Sequence, residues 1–508
     1  MSALSLNAEQ IKKIQENASG RAAAPDGLRV PAYDRSKVTP GIVHFGVGNF
    51  HRAHQARYLD ELMSRGLAHD FGIIGMGVLP QDQRMRDILK AQDGLYTLIS
   101  RSPDGSQDIR IIGSILDCIW APEDPAAAVE RLAQEDIRIV SLTVTEGGYN
   151  INQVTHEYDL SSAAVRHDLE DPEHPQTVFG LVVAALRLRR ERGVAPFTVM
   201  SCDNIQANGQ VARSVFTAHA EALDPELAQW IRENVSFPNS MVDRITPATT
   251  DEDRSWVHEE LGYEDAWPVV TEDFLQWVLE DDFVNGRPEY EQVGVQVVED
   301  VEPYEKLKLR MLNSSHQGLC YFGHLAGYHL VDEAVGDERI SRLLMRYMME
   351  EAAPTLDPLP DTDVEGYART LIERFTNRAV KDTVPRLCAE SSDRIPKWLV
   401  PVIMDNLATD GQVRFSAAIV ASWARYAEGA DEKGDPIRIV DNREELVREA
   451  AQRQLQGDEL AFLRNGDFFG DLADQPRFTE PYLRTLRLLH ERGSAATLEI
   501  LLEDEGER

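Results

Sequence analysis

The stretch GIVHFGVGNFHRAHQARYLDELMSRGLAHDFGIIGMGVL, Gly41 to Leu79, decides the fold. Its apolar run Ile42–Phe45 has the length of a buried strand and ends in Gly46-Val47-Gly48. In the segment that follows, Tyr58, Leu59, Leu62 and Met63 recur at helical spacing, and Gly66 stops the helix. Phe71–Leu79 is a second apolar strand. Strand, glycine turn, helix, strand is a βαβ unit of the size a dinucleotide half-site needs.

Glycines at a strand-to-helix turn let the backbone approach a pyrophosphate, whose charge faces the helix N-terminus. The candidate cofactor residues are therefore Gly46, Val47, Gly48, Asn49 and Phe50; His51 stands where a third glycine would complete the usual fingerprint. An acidic residue should follow to hold the adenosine ribose. Strand Phe71–Leu79 has none, and Asp82 is the nearest. A carboxylate there would bind the ribose hydroxyls and repel a 2′-phosphate, which favours NAD over NADP. A turn or helix cap in PQDQRM is the competing reading of Asp82. His51 and His54 have no third ligand nearby and read as packing groups, not metal ligands.

Working outward, residues 1–40 read as a helix and an irregular lead-in containing Pro25, Pro31 and Pro40. Further strands are expected at Tyr96–Ser100, Ile109–Ile112, Ile137–Val144 and Phe197–Ser201. Helices are expected at Pro125–Gln134 (with Asp124 as N-cap), Gln176–Arg192 and 212–236. Val284–Val298 reads as a hairpin or edge strand. From about 303 the pattern turns helical: 303–328, 332–352, 363–376, 396–408, 412–428, 442–455, 458–464 and 477–502. The expected class is α/β, with a Rossmann-type doubly wound sheet domain over 1–300 and a mostly α-helical domain over 301–508.

Composition narrows the partners. At 508 residues the chain exceeds one core. A net charge of −34 argues against nucleic acid and anionic lipid. No apolar run approaches the roughly 20 residues of a membrane span, and the N-terminus shows no export signal. The cysteines Cys118, Cys202, Cys320 and Cys388 are widely spaced, as expected of reduced thiols in a cytoplasm.

The helix Tyr304–Tyr328, YEKLKLRMLNSSHQGLCYFGHLAGY, carries the chemistry. At about 100° per residue, Lys308, Asn313 and His316 fall near 0°, 140° and 80°, on one side. Leu312 and Leu319 share that side, so it faces protein. A lysine that loses hydration is shifted toward the working range of a general base. Three strand ends are also polar: Ile137–Val144 runs into Thr145-Glu146-Gly147-Gly148, Phe197–Ser201 into Cys202-Asp203-Asn204, and FPNSMVDRITP carries Asp243 and Arg244. Turn chemistry and a structural ion pair would account for each of these taken alone.

Taken together, the segments GIVHFGVGNFHRAHQARYLDEL, IRIVSLTVTEGGY, FTVMSCDN, VSFPNSMVDRITP, EDAWPVV, FVNGRPEYEQVGVQ, PYEKLKLRMLNSSH and the IPKW region resemble the polyol-specific long-chain dehydrogenases. The family's members interconvert polyols and keto-sugars, D-mannitol and D-fructose among them. The resemblance implies a Rossmann-type domain and a helical domain with the site between them, NAD as cofactor, no metal, and commonly a monomer. It implies Lys308 as general base, Asn204 and Asn313 as the amides on the reacting oxygen, and His316 as a substrate-positioning group. It also implies Glu146 near the proton exit, with Asp243 and Arg386 in the substrate pocket. Arg394, in SSDRIPK, stands where the family's pattern has lysine. Two other readings remain open: a hexuronate reductase, with Arg386 or Arg394 as the extra cation a carboxylate substrate requires, and a non-catalytic nucleotide-binding regulator. Arabinitol and sorbitol enzymes of the family share the same catalytic helix.

Overall fold

The computed structural model describes residues 4–18, 27–152, 157–359 and 362–503; the expected lead-in proline Pro25 lies outside them. The chain forms two units, Met1–Glu302 and Pro303–Arg508.

The first unit is built on a five-stranded parallel sheet. We number its strands β1 (Pro40–Phe45), β2 (Gly72–Gly77), β3 (Ile115–Trp120), β4 (Ile139–Leu142) and β5 (Thr198–Ser201). The spatial order is β3-β2-β1-β4-β5. Both faces are covered, and side-chain alternation sorts each strand between two cores. Val43 and Phe45 of β1 join Val140, Leu142 and the helix Val178–Arg192 in one core. Ile42, Ile73 and Ile139 join the helix Gln55–Ser64 in the other. The order reverses at β1, between β2 and β4, which is where a doubly wound sheet opens a crevice beyond its strand ends.

This unit also holds a two-stranded parallel pairing of Leu4–Ser5 with Tyr263–Glu264 and two three-stranded sheets. One holds Tyr96–Arg101 between Gln107–Ile112 and Val269–Glu272; the other holds Gln276–Glu280 between Ser240–Asp243 and Gln296–Val298. Of the two readings of 284–298, the edge strand forms, at Gln296–Val298, and the hairpin does not. Pro288 withholds a ladder donor, a 3₁₀ turn at Tyr290–Val293 seats Tyr290 against Trp277 at 4.8 Å, and Gln296–Val298 then pairs parallel to Gln276–Glu280. The expected helix 212–236 is two helices, Asn208–Leu223 and Pro225–Asn234, because Asp224 caps the second with Pro225 at its first position. Asp124 caps Pro125–Ala133 as expected, accepting from the Ala127 N–H at 3.0 Å.

The second unit is helical. Its centre is Arg414–Ala427, buried on nearly every face, against which Ser314–Leu325 and the long C-terminal helix Pro476–Glu503 pack. The latter bends at Gly493, where φ is +76°. Residues 459–464 form turns, not the expected helix; the segment after Gly457 instead plugs Phe462 and Leu463 into the core. The expected single helix 303–328 is also interrupted: Glu302–Leu307 and Ser314–Leu325 flank a π-helical segment, Lys308–Asn313. Among the described residues no helix is long and apolar enough to cross a membrane.

Candidate active site

In the first unit the parallel register brings the strand ends level: Phe45 pairs with Leu142, and Leu142 with Ser201. Gly46, Thr143 and Cys202 therefore begin the loops side by side. Gly46 has φ +87°, and a Cβ there would stand 2.0 Å from the Thr143 carbonyl oxygen, so only glycine fits. Gly48 differs. It is exposed, and a Cβ on it would meet nothing nearer than the Gly46 oxygen at 3.9 Å. The outer side of the turn is thus open to a ligand's close approach, which suits a pyrophosphate. Val47 is buried and fills the space left by the missing Cβ of Gly75. Asn49 uses its side chain internally, donating to the Pro247 carbonyl at 2.9 Å and the Thr249 hydroxyl at 3.0 Å, while Phe50 stacks on His54.

Beneath the turn lies a polar relay absent from the sequence reading. His44 is buried; its Nδ1 is 2.7 Å from Ser141 Oγ and its Nε2 is 2.9 Å from Thr143 Oγ1. Thr143 gives its one hydroxyl proton to the Gly46 carbonyl at 2.7 Å. It must therefore accept from His44 Nε2–H, and Ser141 must donate to Nδ1. His51 stacks on His44 with centroids 3.3 Å apart, and burial pushes both imidazoles toward the neutral form, His44 to about 3. The packing reading of His51 and His54 holds: His54 Nε2 lies 2.8 Å from the Gln276 carbonyl oxygen.

Asp82 opens the helix Asp82–Ala91, and its Oδ2 accepts from the backbone N–H groups of Val78 and Leu79 at 3.0 and 2.9 Å. It lies over Gly77, whose missing Cβ makes room for it. The loop after β2 thus occupies one carboxylate oxygen, and the helix itself has no side-chain cap. Glu146 and Asn204 are exposed at the ends of β4 and β5. Asp203, between them, is buried; it accepts from the Thr145 N–H at 2.7 Å, the Val144 N–H at 3.2 Å and the Tyr149 hydroxyl at 2.9 Å. It holds Thr145 at a strained φ of +66° and ties the Glu146 loop to β5. Burial, aided by the charge of Glu146, pushes the Asp203 carboxyl up to about 6. Asp243 is buried at the end of its strand, opposite Gln276. Its neighbour Arg244 is structural, donating to the carbonyls of Ala53 and Glu272 and to the Ser100 hydroxyl.

In the second unit, Lys308 and Asn313 are the first and last residues of the π segment and are 7% and 6% exposed. A π turn links residues i and i+5. The wider turn therefore brings the two groups closer around the axis than the 140° of a regular α-helix. Two hydroxyls serve carbonyls of this irregular turn: Ser314 Oγ donates to Leu309 O at 3.1 Å and Tyr347 Oη to Arg310 O at 3.0 Å. Glu305, also buried and three residues before Lys308, is a carboxylate the sequence reading overlooked on that face. Lys306 points elsewhere, pairing with Asp357 at 3.0 Å. His316 is partly buried, its ring 4.8 Å from that of Phe375. Arg386 is bound edge-on by Asp382, Nε to Oδ1 and Nη2 to Oδ2, both at 2.6 Å. Arg394 Nη1 donates to the Leu387 carbonyl at 3.0 Å, and its guanidinium lies over the Trp398 ring. Among the described residues, no group of three or more His, Cys, Asp or Glu is placed to hold a metal ion.

Two family models divide the chain, the mannitol dehydrogenase Rossmann domain over residues 40–292 and the mannitol dehydrogenase C-terminal domain over 300–489. The chain belongs to the mannitol dehydrogenase family. A mannitol 2-dehydrogenase of Aspergillus fumigatus is 42% identical over 507 residues, covering 98% of this chain and 99% of that one. The structure of Pseudomonas fluorescens mannitol 2-dehydrogenase in ternary complex with NAD and D-mannitol superposes with a TM-score of 0.83 at 41% identity, over 98% of this chain and 100% of that one. A substrate-free D-sorbitol dehydrogenase gives 0.89 at 38% identity, over 97% and 100%. This mannitol dehydrogenase family member is therefore an oxidoreductase with a Rossmann-type N-terminal fold and a helical C-terminal fold.

Proposed function

We propose that the protein is a cytoplasmic, monomeric oxidoreductase that interconverts D-mannitol and D-fructose with NAD. The observation that carries this reading is the burial of Lys308 and Asn313 on one π turn, in a chain whose relatives include mannitol 2-dehydrogenases. Lys308 is assigned as the acid/base. As the amine it takes the hydroxyl proton during oxidation, and as the ammonium it returns that proton during reduction. The amides of Asn204 and Asn313 are assigned to the reacting oxygen, as donors to its developing charge. His316, Asp243 and Arg386 are assigned to orient the substrate, and Glu146 to pass the proton on. The Gly46–Phe50 turn would hold the dinucleotide through its backbone, and Asp82 would take the adenosine ribose. When bound, the nicotinamide accepts or returns the hydride.

The hexuronate alternative needs a spare cation. Both candidates are engaged, Arg386 by Asp382 and Arg394 by backbone carbonyls and Trp398, which supports a neutral polyol. A panel of mannitol, sorbitol, arabinitol, fructose and fructuronate, run in both directions with NAD and NADP, tests the reading. The highest kcat/KM is expected for mannitol and fructose with NAD(H). Higher efficiency with sorbitol or fructuronate overturns the substrate, higher efficiency with NADPH overturns the role of Asp82, and absence of turnover on every substrate favours the regulator.

A further inference from the structure

Arg386 is half exposed, with its side chain 55% accessible, while Asp382 is only 11% accessible. Asp382 takes the Nε–Nη2 edge of the guanidinium, so Nη1, which makes no hydrogen bond among the described residues, keeps its two N–H donors for a ligand. The pair is neutral overall. Asp382 is also fixed in place. Its Oδ1 accepts from the Thr383 N–H at 2.8 Å, and its own carbonyl accepts from Val331 N–H. Thr383 in turn caps the helix Val384–Cys388 that carries Arg386. Burial alone would raise the Asp382 carboxyl, but the Arg386 bonds and charge, with the nearby His316 imidazole, hold it below its ordinary range. The carboxylate therefore persists throughout the neutral pH range.

We propose that Asp382 determines substrate charge: by cancelling the charge of Arg386 while leaving Nη1 free to donate, it admits a neutral polyol and rejects a sugar acid. A hydroxyl or ketone oxygen needs only the donors. A carboxylate needs the charge as well, and here it would meet one cation already shared with a fixed anion. Asp382 acts through Arg386 and is a specificity residue, not a catalytic one. The inference rests on the reading of the site as a polyol site.

The test is inhibition by D-gluconate, the carboxylate counterpart of the polyol, measured beside turnover of fructose and of a keto-uronate. Asp382→Asn keeps the shape and removes the charge. It should tighten gluconate inhibition about tenfold and raise the keto-uronate to fructose ratio of kcat/KM by a similar factor. Asp382→Glu should restore the wild-type ratio, and D382N/R386A should abolish the gain. Should Asp382→Asn fail to fold, Arg386→Ala reads the pair from the other side: the exposed carboxylate should weaken gluconate binding about tenfold more than it weakens mannitol binding. An Asp382→Asn protein that melts normally, with unchanged gluconate affinity or with equal losses on both substrates, overturns the proposal. A wild-type protein that reduces the keto-uronate but not fructose overturns the polyol reading instead, and is recognised before any variant is made.

Discussion

The two units present their candidate groups in opposite ways. In the first, the backbone is on offer and the side chains around it are committed. Gly46 and Gly48 shape an open turn, while Asn49 is bound to Pro247 and Thr249, Asp203 to Thr145, and Arg244 to three neighbours. In the second, the backbone is buried and irregular, and it aims an amine and an amide from one π turn. The difference teaches that a parallel sheet aligns its strand ends by register alone, whereas a helix relates its side chains only through the kind of turn between them.

The strongest way to break this comparison is at Lys308. Lys308→Ala should lose about 10²–10⁴-fold in kcat, the range of a general acid–base group, with little change in the affinity for NAD. Lys306→Ala, which removes a peripheral pair with Asp357, should leave kcat within about twofold. If stopped-flow and steady-state rates reverse that order, the second unit does not aim its helix as described. Asn313→Ala comes next, at about 2.7–4 kcal/mol in the barrier, by analogy with an oxyanion donor. Its effect should fall on kcat, and a loss confined to KM would remove it from the reacting oxygen.

How much of this was legible beforehand follows the same division. The glycine turn, four of the five core strands and the helices Gln55–Ser64, Pro125–Ala133 and Val178–Arg192 were readable because burial on both sheet faces leaves continuous apolar runs and glycine marks the turn; the edge strand Ile115–Trp120, interrupted by Asp117, was not. The relay His44–Ser141–Thr143–Gly46 was not, because its members are brought together by strand pairing across nearly a hundred residues. In the second unit the residue types Lys308, Asn313 and His316 were readable, but their angles were not. A π turn has no composition signal of its own; it depends on hydroxyls such as Ser314 and the distant Tyr347. The pairing of Asp382 with Arg386 likewise lay outside any motif.

Each unit also buries a carboxylate among backbone donors, and these sharpen the comparison through pH. Glu351 accepts from the N–H groups of Phe415 and Ser416 and from the Ser416 hydroxyl; burial still outweighs these bonds and pushes it from 4.5 to about 7. The folded state then holds this proton more tightly than the unfolded chain does. The stability contributed by this group is fully present below about pH 4.5 and is lost as pH rises through about 7, by roughly 3 kcal/mol at 1.36 kcal/mol per pKa unit. Asp203 has the same sign in the first unit, between 3.8 and about 6. In urea titrations, Glu351→Gln should flatten the pH slope of the second unit and Asp203→Asn that of the first. Slopes identical to wild type would remove these carboxyls from the pH response, whatever the baseline stability.

The smallest effects discriminate best, because two single hydroxyls do the same job in the two regions. Thr143 Oγ1 donates to the carbonyl of Gly46 at the glycine turn, and Ser314 Oγ donates to the carbonyl of Leu309 in the π turn. Each deletion removes one bond to a carbonyl of an irregular turn, worth about 0.5–1.5 kcal/mol. Thr143→Val should leave the Gly46 carbonyl to Gly48 N–H alone and relax the turn, so the Kd for NAD should rise about two- to tenfold with kcat nearly unchanged. Thr143→Ser keeps the hydroxyl and should recover the affinity. Ser314→Ala should loosen the segment between Lys308 and Asn313 and lower kcat by a similar factor, with the NAD affinity intact. Calorimetry of NAD binding and single-turnover rates separate the two readouts. If Thr143→Val instead slows the chemical step while Ser314→Ala weakens NAD, then the first unit does not act through its backbone nor the second through its side chains.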